Sequence, residues 1–190
     1  MVDTIRSISA LQALLADNTS GDISPQDIRD LLVSLVAGTG WGAYDDTQYT
    51  DLSPLSLVAD TDTVLPNNAG NTIETQKPGD VAAFYDGSVI TGRDGDGLLI
   101  TVDFVATPTS PSATALEVWV DIGGSVGELY RRIVTFPKGT GVERPINFST
   151  SAYTLNTWET NGATVYVRAN GPVDIHSIRY VLTRTHKAVN

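Results

Sequence analysis

Few residues in this chain are of types that do chemistry, and their spacing decides most of the functional reading. Gly123-Gly124-Ser125-Val126-Gly127 spells G-x-S-x-G. A serine nucleophile on that motif needs a strained turn between a strand and a helix, which lifts its hydroxyl above a sheet. Here both flanks, Ala115–Ile122 and Glu128–Phe136, alternate apolar and polar residues as strands do. The motif therefore reads as a hairpin loop. His176 could act as a base, but it lies in another alternating run, Val173–Thr185, with no acid in view to orient it. Asp94-Gly95-Asp96-Gly97 begins like a calcium loop, yet position 5 is Leu98 and position 12 is Val105, where oxygen ligands are required. A tight turn before a strand is the better reading. Asp45, Asp46 and Asp51 are read as a solvated acidic loop. Phe136-Pro137-Lys138-Gly139-Thr140-Gly141 has phosphate-loop letters in the wrong order, with no helix behind it. No catalytic residue, metal ligand set or cofactor is expected.

Composition narrows the classes further. The chain has no cysteine, which removes disulfides and thiolate metal sites, and only two histidines, too few for an all-histidine zinc site. The net charge of −10 is uneven. Up to Asp96 there are four basic and fifteen acidic residues, net −11; from Gly97 onward eight basic and seven acidic, net +1. No basic patch is dense enough to displace counterions from nucleic acid. The one basic pair, Arg131–Arg132, would point to opposite faces of a strand. No apolar run is long enough to span a membrane, and the N-terminus lacks the basic and apolar regions of a secretory signal. Neither nucleic acid nor membrane is expected as a partner.

The elements that must position these residues fall into two parts. Residues 1–43 read as helical, ending in a glycine-rich hinge. Ile8, Leu11, Leu14 and Leu15 give a first short helix, stopped by Asn18 to Gly21. Ser24 then supplies an N-cap, Pro25 falls at the first helical position, and Asp27 can reach back to the Ser24 amide. Ile23 and Ile28 are placed as a hydrophobic staple, and Ile28, Leu31, Leu32 and Leu35 recur at helical spacing as one apolar stripe. Gly38 is the expected C-cap, and Gly38, Gly40 and Gly42 around Trp41 read as the hinge.

Residues 44–190 change to period two. The strongest runs are Leu98–Phe104, Leu116–Ile122, Glu128–Phe136, Pro145–Ser149, Ala163–Ala169 and Val173–Thr185. Weaker ones lie at Ser56–Ala59, Thr72–Glu74 and Val81–Tyr85, with Gly, Pro and Asn turns between. Short strands at this spacing predict a mainly β fold, an antiparallel jelly-roll sandwich. Several strands are apolar or aromatic on both faces: Trp119 between Val118 and Val120, Tyr166 between Val165 and Val167, and Val181 between Tyr180 and Leu182. Either loops cover the second face or another subunit does. The recurrence favours a subunit interface containing Trp119, Tyr166, Tyr180 and Val181.

Ser9–Leu35, and above all its core NTSGDISPQDIRDLLVSL, resembles a segment of tailed-bacteriophage virion proteins, among them head-decoration, head-fibre and tail-fibre proteins. The body, through FPKGTG, INFSTSAYTLNTWETNGATVYVRA and RYVLTRTHK, is similar to the trimeric jelly roll of tumour-necrosis-factor type at the end of phage fibre and decoration proteins. The resemblance implies a homotrimer on the outer surface of a phage particle, without catalysis. Its N-terminal segment, with Ile23, Ile28, Leu31, Leu32 and Leu35, would attach to the major capsid protein or another virion scaffold protein. Head decoration, or a short head fibre, is favoured because neither a repeat nor a coiled coil is present to serve as a shaft. The alternative is a tail-fibre or baseplate receptor-binding protein that binds host surface glycan, with Trp41, Tyr44 and Trp158 as stacking residues.

Overall fold

The computed structural model describes residues 23–36, 38–137 and 139–188, together with Ala10 and Ala13. Ile8, Leu11, Leu14 and Leu15, the apolar residues of the expected first helix, lie outside the described residues, as does the side chain of Leu35.

Helix α1, Pro25–Val36, starts where its cap is written. The Ser24 amide and hydroxyl both donate to Asp27 Oδ2, at 2.8 and 2.7 Å, and the Asp27 amide donates back to Ser24 Oγ at 3.2 Å. This reciprocal box satisfies amides that the helix leaves unpaired, with Asp27 at the positive end of the dipole.

Ten strands follow among the described residues: β1 Gly40–Asp45, β2 Leu55–Leu57, β3 Thr63–Val64, β4 Asn71–Ile73, β5 Gly97–Pro108, β6 Ala115–Asp121, β7 Glu128–Thr135, β8 Arg144–Tyr153, β9 Thr164–Ala169 and β10 Val173–His186. A short helix, α2, Asn156–Asn161, lies between β8 and β9. The large sheet runs β4-β1-β10-β5-β8, with β2 also on β10, and the small sheet runs β3-β9-β6-β7. The pairs nest: β1 with β10, β3 with β9, β5 with β8 and β6 with β7, all antiparallel. One long folded hairpin rolled so that β10 also meets β5 and β9 also meets β6 is a jelly roll.

Period two decides which side chains fill the space between the sheets. Along β5, Leu98, Ile100, Val102, Phe104 and Ala106 are buried while the residues between them are half-exposed. Leu116, Val118 and Val120 of β6 and Val165, Val167 and Ala169 of β9 close the core from the other sheet. Three tyrosines seal one region edge to face, Tyr44 to Tyr85 at 5.6 Å and Tyr85 to Tyr180 at 5.2 Å between centroids. Their hydroxyls donate to Glu74 Oε1, the Asn67 carbonyl and the Leu65 carbonyl, at 2.5, 2.9 and 2.5 Å. Burial pushes all three phenols up, Tyr85 to about 12.

The structure corrects several expectations. Tyr44, Tyr180 and Trp158 are each 1% exposed. Tyr180 is therefore core, not an interface residue, and Tyr44 and Trp158 offer no face to a glycan. The Trp158 indole N–H is used internally, on the Ile90 carbonyl at 3.0 Å. The glycine hinge is also revised, because Gly40, Trp41 and Gly42 belong to β1, opposite Arg184, Thr183 and Leu182 of β10. The boundary drawn between residues 43 and 44 thus falls inside a strand. Gly40 is required by close approach: a Cβ there would lie 2.4 Å from the Gln76 carbonyl oxygen, which accepts the Trp41 amide. Val81–Tyr85 forms no strand beyond a single bridge from Tyr85 to Ile90.

Candidate functional site

The motifs with catalytic letters resolve into structure-holding turns. Gly123–Gly127 is the β6–β7 hairpin loop, closed by the Ile122 amide on the Gly127 carbonyl at 3.0 Å. His176 lies in the large sheet, away from that loop, with Nδ1 2.9 Å from Ser177 Oγ. An acid absent from the sequence reading does lie near it: Glu143 Oε1 is 3.7 Å from Nε2. Asp96 of the calcium-like turn is buried, and its carboxylate accepts the Ala188 amide at 2.8 Å and faces Arg184. Asp46 accepts the amides of Gln48, Tyr49 and Asn68, and Asp45 pairs with Arg179 at 3.2 Å. Among the described residues, no group of three or more His, Asp or Glu side chains is gathered as a metal site needs, and no helix is long and apolar enough to cross a membrane.

What remains as candidate functional surface is the outer face of each sheet and the helix ahead of them. Register fixes the outer rows of the large sheet. Trp41, Thr183, Leu99 and Ser151 lie side by side, and the next row is Ile73, Ala43, Val181, Thr101 and Ser149. Neither row carries a charge. Trp41 and Ile73 are 36% and 43% exposed. The third row, Asn71, Asp45, Arg179, Asp103 and Asn147, holds charges already partnered within the chain.

The outer face of the small sheet is built differently. Trp119 and Tyr166 are cross-strand partners with nearly parallel rings, 5.6 Å between centroids at 13°. Arg131 reaches over the indole from β7, its guanidinium carbon 3.9 Å from the ring centroid, while pairing with Glu117 and Glu128. Those carboxylates hold the guanidinium well above its ordinary range, and Arg131 holds Glu128 below its own. Arg168 faces Asp62 and Asp60 at 3.4 and 3.6 Å. Trp119 is 3% exposed under this cover. Of the four residues expected in one interface, Trp119 and Tyr166 therefore sit on one outer face, Val181 on the other, and Tyr180 between the sheets.

Helix α1 presents Ile28 and Leu32, 44% and 58% exposed, with Ile23 at 37% just ahead of it; Leu31 is half-buried. Asp30 is instead 1% exposed, with Gln26 Nε2 donating to it at 2.7 Å. Apolar residues thus face outward where a carboxylate is enclosed.

Beside Gly38, between α1 and β1 in the chain, stands Arg184, a residue the sequence reading missed. It occupies an inward position of β10, two beyond Leu182, and is 1% exposed. A charge at the end of the alternation Tyr180, Leu182, Arg184 is the signal that marked it. Its Nη2 lies 2.6 Å from Asp80 Oδ1 and its Nη1 3.3 Å from Asp96 Oδ2, while its Nε donates to the Gly38 carbonyl at 2.7 Å. Lys187 adds a contact to Asp80 at 2.9 Å. Burial raises the Asp80 carboxyl, but Arg184 and Lys187 outweigh it and bring it down to about 2.

No protein-family model matches the chain, and no curated protein sequence matches it. Among solved structures, the chain is similar to PRD1 vertex protein P5 at 12% identity, over 79% of this chain and 73% of that one, with a TM-score of 0.44. It is similar to the Eiger TNF of S. frugiperda at 9% identity, over 80% and 94% of the two chains, with a TM-score of 0.49. It is also similar to the VP2 subviral particle of infectious bursal disease virus at 12% identity, over 76% of this chain and 30% of that one, with a TM-score of 0.29. At these identities the likeness is one of shape, and the jelly roll itself rests on the nested pairing of the strands.

Proposed function

We propose that this protein is a structural component of a bacteriophage particle, a homotrimer of jelly rolls held to the virion by the N-terminal helical segment. The observation that carries the reading is the division of labour along the chain. The sandwich closes its own core, whereas α1, capped and ready to stand, leaves Ile28 and Leu32 exposed. A helix this short gains its stability from packing, so its exposed stripe calls for a neighbour. The likeness of Ser9–Leu35 to virion segments supports a scaffold protein of the particle, such as the major capsid protein, as that neighbour. Ile23, Ile28, Leu31, Leu32 and Leu35 would be the contacts, and the anchor would end at Thr39, just before β1 begins at Gly40.

The outer face of the large sheet is the better trimer surface of the two. Its rows through Val181 and Thr183 can be covered by another copy without stranding a charge, the costliest error in an interface. Head decoration or a short head fibre fits the direct passage from α1 to β1. The test is deletion of residues 1–37, followed by sedimentation with particles of the encoding phage. The truncated protein should remain a folded trimer and no longer co-sediment. A truncated protein that still travels with particles would overturn the anchor.

A further inference from the structure

The small sheet carries, beside Tyr166, a cleft of about 160 Å³ whose lining includes Asp121, Gly123, Asn161 and Thr164. Three separate segments build it: the end of β6 with its hairpin loop, the last residue of α2, and the start of β9. The polar groups are fixed on one side and open on the other. Asp121 Oδ1 accepts the Gly123 amide at 2.6 Å, and Asn161 Nδ2 donates to the Ile122 carbonyl at 3.1 Å. Among the described residues, no hydrogen bond uses Asp121 Oδ2, Asn161 Oδ1 or the Thr164 hydroxyl. The same holds for the Tyr166 hydroxyl and the Trp119 indole N–H. Since no buried side-chain N or O lacks a partner, these two groups reach solvent. Stacking on Trp119, itself covered by Arg131, holds the Tyr166 ring in place.

The chemistry selects a ligand class. An apolar ligand would strand the Asp121 carboxylate. An anion would meet that carboxylate with no cation to answer it, because Arg131 is engaged by Glu117 and Glu128. A ligand with an apolar flank for the aromatic ring and hydroxyls on its rim suits both the acceptors and the donors. The volume equals that of about five waters, room for one six-membered ring.

We infer that this cleft is a binding subsite for a single pyranose unit of a glycan, formed by Tyr166, Asp121, Asn161 and Thr164. The site lies on the face not assigned to the trimer, so it stands or falls apart from the assembly reading. Trp119 supplies the reporter. The full-length protein, labelled at its indole nitrogens, is titrated with the methyl pyranosides of glucose, galactose, mannose and N-acetylglucosamine. At least one should move the Trp119 indole resonance saturably at millimolar concentration. Asp121→Asn, which keeps the shape and the turn, should weaken that sugar tenfold or more, and Tyr166→Ala should abolish its binding. If Tyr166→Ala does not fold, Thr164→Val takes its place, with a severalfold loss expected. The inference is overturned if no pyranoside moves the Trp119 resonance, or if binding survives Asp121→Asn unchanged.

Discussion

On the large sheet, the outer rows through Val181 and Thr183 present hydroxyls, small residues and the half-open Trp41 and Ile73, with no charge among them. On the small sheet, the outer face is laced with ion pairs, and its largest apolar residue, Trp119, lies under Arg131. The sequence alternates in the same way on both, so hydropathy alone does not separate them. What does is whether each face supplies its own cover. Charges paired within the chain complete a surface for water, while uncharged rows gain most from another protein.

Charge insertion gives the largest contrast between the two faces. Val181→Asp should convert the proposed trimer to a monomer at micromolar concentration by analytical ultracentrifugation. Ile133→Asp, on the small sheet and at a site 65% exposed, should leave the trimer intact. Equal effects would erase the distinction. A second contrast sets a buried cation against an exposed one. Arg184→Met leaves the buried Asp96 carboxylate without its cation and Asp80 with Lys187 alone, and should cost about 3–5 kcal/mol in chemical denaturation.

Acid should act on the same cluster. Because Asp80 titrates near 2 when folded and near 3.8 when free, its contribution is complete above pH 4 and drains away as pH falls towards 2. The acid limb of a melting-temperature profile should flatten in Asp80→Asn. The smallest effect belongs to Arg131→Ala, which removes a guanidinium from the Trp119 ring at a half-open site. It should cost about 0.5–1 kcal/mol and shift the indole emission to the red.

Much of the fold was legible because burial and alternation coincide. β5, β6, β9 and β10 appear as period-two runs, and the Ser24 to Asp27 box appears as letters before it appears as hydrogen bonds. β1 was hidden because its glycines read as freedom, whereas Gly40 is needed for contact with the Gln76 carbonyl. β3 has two residues, too few for any period. The functional surface was less legible. Tyr44 and Trp158 have the composition of a sugar platform but turn inward, a fact set by strand register and by the Ile90 carbonyl. Asp121 and Asn161 stand 40 positions apart in the sequence and meet because β6 pairs with β9, which sets Asp121 opposite Thr164, and because the Asn161 amide holds the Ile122 carbonyl.

The hydrogen bond from Arg184 to the Gly38 carbonyl has a mechanical consequence. One residue, Ala37, separates the last residue of α1 from a carbonyl held by a side chain locked into the sandwich. A long floppy leash would let each anchor search for a foothold and would forgive uneven spacing. A tether one residue long would set a stride instead. In the trimer proposed above, three such tethers would work as a gauge, seating only where the footholds beneath repeat at the trimer's own spacing.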